Sequence, residues 1–92
     1  MIAIYLDMRE FLTVEALHEY LMETMTFSAY YGKNLDALYD ELTSIEQPTY
    51  AFIICPPKGS SPICEYLERI YCVFADAELE NPNFSFNLEY AG

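Results

Sequence analysis

Two aspartates one helical turn apart are the residues of this chain best suited to chemistry. Asp36 and Asp40 lie in the run from Tyr30 to Asp40, which reads YYGKNLDALYD. On a helix, residues at i and i+4 share a face with Cβ atoms about 5–6 Å apart, and like charges at that spacing destabilise the helix slightly. Such a pair can divide acid and base catalysis, bind a cation, or accept hydrogen bonds from a basic protein. The run therefore predicts a functional site.

Catalysis and metal binding are the weaker interpretations of this pair. Acid–base catalysis needs environments that separate two pKa values, whereas Asp36 and Asp40 project from one polar face with no predicted apolar pocket around either. Calcium needs about six to eight oxygens, and the helix offers two carboxylates without a DxDxDG pattern. The single histidine, His18, lacks a credible nucleophile and orienting acid and is predicted to lie on an ordinary helix flank without a role. We therefore predict no enzyme activity, no cofactor and no metal site.

The strongly acidic composition limits the partners that this chain can bind. Its 92 residues include 15 Asp and Glu against 4 Lys and Arg, a formal net charge of −11. Nucleic-acid binding requires clustered basic side chains that displace counterions from phosphates. The basic residues here are instead scattered singly: Arg9, Lys33, Lys58 and Arg69. A basic protein is the expected partner, and the alternative is that Asp36 and Asp40 only keep the surface hydrated.

Tyrosines surround the two aspartates in the sequence. Tyr30 and Tyr31 precede the predicted helix, and Tyr39 falls on its flank next to Asp36. Exposed tyrosine beside charge is a favoured interface composition, because the ring supplies apolar area and the hydroxyl a hydrogen bond. Tyr31 fits equally well as a core residue. Gly32 is predicted to let the chain turn sharply into the helix through a conformation that other residues resist.

Three apolar segments have the patterns of β-strands. Residues 2–6 and 50–55 are short runs of branched and aromatic side chains, typical of strands buried on both faces in a parallel sheet. Phe84, Phe86 and Leu88 alternate with polar residues, which predicts a strand at a sheet edge with one buried face.

Three helices are predicted between these strands. Thr13 is the expected N-cap of the first helix and Asn34 that of the second, whose aspartates point away from an apolar stripe formed by Leu35, Leu38, Leu42 and Ile45. Ser61 as N-cap and Pro62 at the first helical position are expected to start a long third helix that ends at residues 81–83. The order β-α-α-β-α-β favours an α/β fold in which helices pack on a three-stranded parallel sheet.

Length and cysteine content favour a single domain over residues 1–92 without covalent cross-links. Cys55, Cys64 and Cys72 are odd in number and form no CxxC pair, so we expect reduced, mostly buried thiols rather than a zinc site or disulfides. The first residues lack the features of a secretory leader, and no stretch approaches the roughly 20 apolar residues of a membrane span. A cytoplasmic location is therefore expected.

The order YYG-x-NLDAL-aromatic-D resembles the barstar family, small acidic intracellular inhibitors of secreted bacterial ribonucleases. The resemblance continues at Leu17 and His18 on the first helix, at Pro48 before the second strand, and at residues 73–77 in the late helix. It implies a barstar-like fold and a monomer that binds one basic, barnase-type extracellular ribonuclease without contacting nucleic acid or membrane itself. The alternative is an acidic protein-interaction module on the same fold whose basic partner is not a nuclease.

The resemblance also implies roles for individual residues. Members of the family insert the start of this helix and its preceding loop into a ribonuclease active site, where acidic side chains occupy the places of RNA phosphates. By position, Asp40 is the central phosphate mimic, Asp36 a second one, and Tyr30 packs over a catalytic side chain. Gly32 and Asn34 would shape the loop, and Tyr39 would add contact area. Asp76 would provide an acidic side chain at the edge of the interface.

This chain departs from the family pattern at several positions. The family generally has tryptophan where Tyr39 stands and glutamate where Lys33 and Asp76 stand. It also has an additional aromatic residue after the second helix, where this chain carries residues 43–45. Lys33 puts a positive charge inside the acidic site, which implies either weaker attraction to a basic cleft or a partner with a matching acid. The turn-rich connector 56–60 replaces helix-forming sequence, so the family's short helix there is expected to be absent.

Overall fold

Three strands and three helices follow one another in the predicted order β-α-α-β-α-β in the computed structural model, which describes residues 1–90. Their bounds are β1 Ile2–Asp7, α1 Val14–Met25, α2 Leu35–Thr43, β2 Thr49–Cys55, α3 Cys64–Glu80 and β3 Phe84–Tyr90. The predicted element types and their order are therefore confirmed.

The strands form one parallel sheet in the order β1-β2-β3. Ile4 lies opposite Ala51 across the first pair, and Ile53 lies opposite Leu88 across the second. Because parallel neighbours need a crossover, α1 and α2 together connect β1 to β2, and α3 connects β2 to β3. The expected parallel sheet is confirmed, with β3 at an edge as predicted.

The hydrophobic core lies between one face of the sheet and the helices. Leu6, Ile53 and Phe84 point into it from the three strands and are almost fully buried. Phe84 meets Phe74 of α3 edge-on, with ring centroids 5.6 Å apart. Burying a side chain of this size stabilises the fold by about 1.5–3 kcal/mol, so the apolar stripes of the helices and the inward positions of the strands hold the layers together.

The opposite face of the sheet is open, which contradicts the prediction that β1 and β2 are buried on both sides. Tyr5 is 69% exposed and Phe52 39% exposed, and their rings stack on this open face with centroids 5.2 Å apart. The reason is the handedness of the connections: when strands follow one another in chain order, right-handed crossovers place every helix on the same face. The apolar composition of β1 and β2 alone did not reveal that one face of the sheet is open.

Two of the three predicted helix caps are present. The Thr13 hydroxyl accepts a hydrogen bond from the Ala16 N–H at 3.2 Å, as expected of an N-cap. The prediction for α3 is wrong, because Ile63 occupies the cap position without a side-chain hydrogen bond and the helix begins at Cys64. Ser61 instead accepts from the Ile63 N–H at 3.3 Å within a turn, and residues 56–63 contain no helix.

A buried asparagine fixes α2 against α3. Asn81 ends α3, and its side-chain amide donates to the carbonyl oxygens of Leu42 and Ile45, each at 3.0 Å. Carbonyls at the end of a helix have no partner within that helix, so this amide stabilises the end of α2 and determines where the two helices meet.

The three thiols differ more in exposure than predicted. All are free, but only Cys55 is buried; Cys64 is half-buried and Cys72 exposed, so the expectation of mostly buried thiols is wrong.

Within residues 1–90, no helix has the length and apolar composition needed to cross a membrane.

Candidate protein-binding site

Helix α2 presents its two aspartates to solvent. Leu38 and Leu42 are fully buried against the core, whereas Asp36 and Asp40 are exposed on the other side of the helix. Asn34 caps the helix as predicted, because its side-chain oxygen accepts from the Ala37 N–H at 2.7 Å. Local periodicity and the cap therefore suffice to orient the carboxylates.

The loop before α2 is held by hydrogen bonds of its own backbone. The Ser28 N–H donates to the Glu41 carboxylate at 3.3 Å, and the Ser28 hydroxyl accepts from the Tyr30 N–H at 3.0 Å. The Ser28 carbonyl accepts from the Tyr31 N–H, also at 3.0 Å. The bond to Glu41 ties the loop to α2, the other two hold the loop itself, and the side chain of Tyr30 is left 97% exposed.

Tyr31, for which the sequence left core and interface roles open, is a core residue. It is only 6% exposed, and its hydroxyl lies 2.6 Å from Nδ1 of His18. The Nε2 of His18 in turn lies 2.5 Å from the hydroxyl of Tyr66 on α3. One buried imidazole therefore connects the loop, α1 and α3.

The prediction for His18 is accordingly wrong. The side chain is fully buried rather than placed on a helix flank, and burial lowers its pKa because the charged imidazolium is disfavoured away from water. A signal was available: His18 completes the i, i+3, i+4, i+7 stripe with Val14, Leu17 and Leu21. Its imidazole links Tyr31 of the loop to Tyr66 of α3.

Gly32 serves the loop for a different reason from the one predicted. The left-handed residue is Lys33, with a φ of 54°, and Gly32 is not among the residues with positive φ. A Cβ at Gly32 would lie 3.3 Å from the Cβ of Ala37 and 3.3 Å from Nδ2 of Asn34. Close approach of the loop to the first turn of α2 is what favours glycine here.

Lys33 is directed toward α1 rather than toward the aspartates. Its Nζ lies 3.2 Å from Oε1 of Glu19, with both side chains partly exposed. Exposed pairs of this kind contribute little stability, about 0–1 kcal/mol. The pair nevertheless offsets the positive charge that Lys33 introduces beside the acidic helix.

The ring of Tyr39 on α2 lies near acidic residues of α3. Partial burial raises the pKa of its phenol, and the negative charges of Glu80, Asp76 and Asp40 raise it further. These carboxylates are therefore neighbours of one half-buried ring. We call Asp36, Tyr39, Asp40, Asp76 and Glu80 together the acidic surface.

The acidic surface and the adjoining loop contain every residue selected from the sequence. Glu80 was missed, although it stands at i+4 from Asp76 and thus repeats on α3 the spacing of Asp36 and Asp40 on α2. Among residues 1–90, no group of three or more His, Cys, Asp or Glu side chains is arranged to hold a metal ion.

This fold and surface define a class: a small α/β domain that presents carboxylates and a solvent-exposed tyrosine on a helix and its tethered loop, a composition suited to protein binding. A family model described as Barstar (barnase inhibitor) matches residues 1–91. The chain belongs to the barstar family.

A relative from Bacillus subtilis (strain 168), named "Putative ribonuclease inhibitor YrdF", is 50% identical to this chain over 40 residues. The matched segment covers 44% of this chain and 44% of the length of that relative. The chain thus matches less than half of the relative's length.

Proposed function

We propose that this protein inhibits a basic, barnase-type ribonuclease by placing the acidic surface and Tyr30 in its active site. The observation that carries the proposal is the exposure of two carboxylates, Asp36 and Asp40, one turn apart on a helix whose preceding loop is tethered and displays an exposed tyrosine. The family to which the chain belongs is described as Barstar (barnase inhibitor), which supports a barnase-type ribonuclease as the target.

The chemistry of the proposed complex is mimicry of RNA phosphates. A ribonuclease stabilises phosphate charge with cationic side chains in a desolvated cleft, and a carboxylate accepts charge-assisted hydrogen bonds from the same groups. Asp40 is the central phosphate mimic and Asp36 the second. Asp76 contacts the rim, Tyr39 adds contact area, and the protein performs no catalysis itself.

The loop contributes by being ordered before binding. Tyr30 packs over a catalytic side chain of the partner, while Gly32 and Asn34 shape the entry to α2. The tethers from Glu41 to Ser28 and from Tyr31 to His18 hold the loop in the free protein. Less conformational entropy is then lost when the complex forms, which favours tight binding.

The net charge of −11 contributes mainly to the rate of association. An acidic protein approaches a basic partner faster than a neutral one does, and salt screens this attraction. The barnase–barstar pair is itself the standard example of such steering. We propose one-to-one binding by a cytoplasmic monomer of this chain to an extracellular-type ribonuclease.

The test is a titration of barnase-catalysed RNA cleavage with this protein at low and moderate salt. Asp40→Asn removes the charge and keeps the size of the side chain. Glu89→Gln is the matched control, because Glu89 is exposed on β3 and projects from the open face of the sheet, away from α2. We expect stoichiometric inhibition by the wild type and the control, and much weaker inhibition by Asp40→Asn. Equal inhibition by both variants would contradict the proposed site.

The second candidate function is an acidic interaction module whose basic partner is not a nuclease. Lys33 and Tyr39 favour it, because they depart from the family pattern within the proposed interface and alter its charge and contact area. Absence of barnase inhibition at both salt concentrations, with capture of a basic protein lacking RNA-cleaving activity, would favour this function over the first.

A further inference from the structure

The outer edge of β1 carries backbone groups without a partner. β1 is an edge strand that pairs with β2 alone, and the Ile2 N–H donates toward β2, to the Pro48 carbonyl, at 2.8 Å. Successive residues of a strand direct their N–H and C=O groups to opposite sides, so those of Ala3 and Tyr5 point away from the sheet. These four groups form no hydrogen bond with another described residue.

Elsewhere on the two edge strands, outward N–H groups are covered by side chains. The Asp7 N–H donates to the Tyr20 hydroxyl at 3.0 Å, and on β3 the Phe86 N–H donates to the Glu78 carboxylate at 3.2 Å. Edge strands are commonly protected from pairing by charged residues or proline, but residues 2–6 read IAIYL and contain neither. The uncovered stretch of β1 can therefore accept another strand.

A groove borders this stretch on the helix side of the sheet. It has a volume of about 510 Å³ and lies between the start of β1, the end of α1 and the segment that follows α2. Ile2, Ile4, Met25 and Ile45 contribute apolar walls. Glu46 contributes an exposed carboxylate that has no ion pair among the described residues. Because side chains alternate along a strand, a strand paired with β1 would direct every second side chain toward this groove.

Free backbone groups beside a groove for side chains are the two parts of recognition by strand addition: the backbone provides affinity and the groove provides specificity. We propose that this edge binds an extended segment of a basic partner protein, which joins the sheet as a fourth strand at Ala3 and Tyr5. Apolar side chains of the segment occupy the groove, and a Lys or Arg beside them pairs with the Glu46 carboxylate.

Charge decides between a basic partner and a second copy of this chain. The net charge of −11 attracts a cationic segment, whereas two copies repel each other, which disfavours pairing of β1 with β1. The groove is separate from the acidic surface, because none of the residues of that surface lines it. The proposal therefore does not depend on ribonuclease inhibition.

The probe is the peptide acetyl-Lys-Val-Thr-Ile-Thr-Lys-amide, in which Val, Ile and the last Lys share one face of an extended strand. The comparison peptide has Glu in place of both Lys residues. Binding is measured by chemical-shift changes and amide hydrogen exchange in ¹⁵N-labelled protein. We expect saturable binding of the Lys peptide, weaker binding of the Glu peptide, and slower exchange at Ala3 and Tyr5. The Ile4 N–H, which faces β2, should keep its exchange rate.

Two N-methylated forms of the Lys peptide test backbone pairing directly. One form is methylated at the Val and Ile amides, and the other at the two Thr amides. Because N–H groups of alternate residues point to opposite edges of a strand, only one of these sets can face β1. One form should lose binding and the other should keep it, whereas equal affinities of the two forms would overturn the proposal.

Variants of the protein locate the site. Ala3→Pro removes an outward N–H without touching the bonds between β1 and β2, and proline is tolerated at such a position of an edge strand; peptide binding should be lost. Ala3→Ser is the matched control, because it keeps the N–H at the same exposed position. Glu46→Gln should weaken binding of the Lys peptide about two- to fivefold, the effect of an exposed ion pair, and Glu89→Gln on β3 should leave it unchanged.

Circular dichroism establishes that each variant is folded before binding is measured, and the exchange and N-methylation experiments use the wild type, so they test the proposal even if Ala3→Pro does not fold. Absence of saturable binding of the Lys peptide, unchanged exchange at Ala3 and Tyr5, or undiminished binding by folded Ala3→Pro would each overturn it. A dimer in sedimentation velocity that Ala3→Pro abolishes would assign the edge to a second copy and overturn it as well.

Discussion

Replacing Tyr31 with phenylalanine tests whether the buried imidazole holds the loop. The change removes a hydroxyl that lies 2.6 Å from Nδ1 of the fully buried His18, and the space left is too small to alter the core otherwise. The imidazole nitrogen then loses its partner in a site from which solvent is excluded. An unsatisfied buried group of this kind is destabilising by about 1–3 kcal/mol.

The expected loss of stability in Tyr31→Phe is large for a domain of this size. A loss of 1 kcal/mol lowers the Tm of a 60–100-residue domain by about 4–8 °C. Urea titration and thermal melting followed by circular dichroism measure the loss. Tyr30→Phe is the matched control, because the neighbouring tyrosine is 97% exposed and its hydroxyl has no hydrogen bond to another described residue.

A double variant separates the lost hydrogen bond from lost packing. In His18→Leu/Tyr31→Phe both partners are apolar, so no imidazole nitrogen remains unsatisfied, and Tyr66 is only half-buried and can turn its hydroxyl to water. We expect the double variant to be destabilised by less than the sum of the two single variants. A Tyr31→Phe protein as stable as Tyr30→Phe, within about 0.5 kcal/mol, would refute the reasoning.

The remaining predictions concern pH, backbone strain and binding. Because burial lowers the pKa of His18, this residue is protonated at a higher pH in the unfolded state than in the folded state. The free energy of unfolding should therefore be constant above about pH 6.5 and fall below it, by at most about 1.4 kcal/mol per pH unit until the folded pKa is passed. Urea titrations from pH 5 to 7.5 will measure this slope, and His18→Gln should remove it. Thr26 ends α1 with a φ of 58°, so Thr26→Gly should raise stability by about 0.5–1 kcal/mol in the same assay, and a loss would contradict the strain argument. Asp40→Asn should weaken barnase binding by about 2–5 kcal/mol, roughly 30- to 5,000-fold in the inhibition constant, a range drawn from buried charge pairs that include the barnase–barstar complex. Raising salt should slow association more than it speeds dissociation in stopped-flow and dissociation measurements, and an equal change in both rates would contradict steering.

Part of the candidate site could be predicted because its geometry is local. The i, i+4 spacing of Asp36 and Asp40 and the cap at Asn34 involve residues within one or two turns, and apolar periodicity decides which side of α2 is buried. Tyr30 precedes the helix in a run that was recognisable as a loop. The roles of these residues in inhibition stay predictions.

Other parts of the site depend on residues far apart in the chain. His18 lies 13 residues from Tyr31 and 48 from Tyr66, so its environment follows from the packing of α1 and α3 rather than from its neighbours. Glu80 joins the acidic surface only because α3 packs beside α2. Gly32 was expected to provide the turn through an unusual backbone conformation, but Lys33 takes the left-handed conformation, and Gly32 lies where the loop comes close to Ala37.

The sequence by itself determined the order of strands and helices, the parallel sheet, the orientation of α2 and the family, because hydrophobic periodicity and helix capping act between residues close in the chain. Only the tertiary structure decided that one face of the sheet is open and that His18 is buried between two tyrosines. The physical reason is that burial depends on how whole elements cover one another. In this fold the right-handed crossovers place all of the helices on one face.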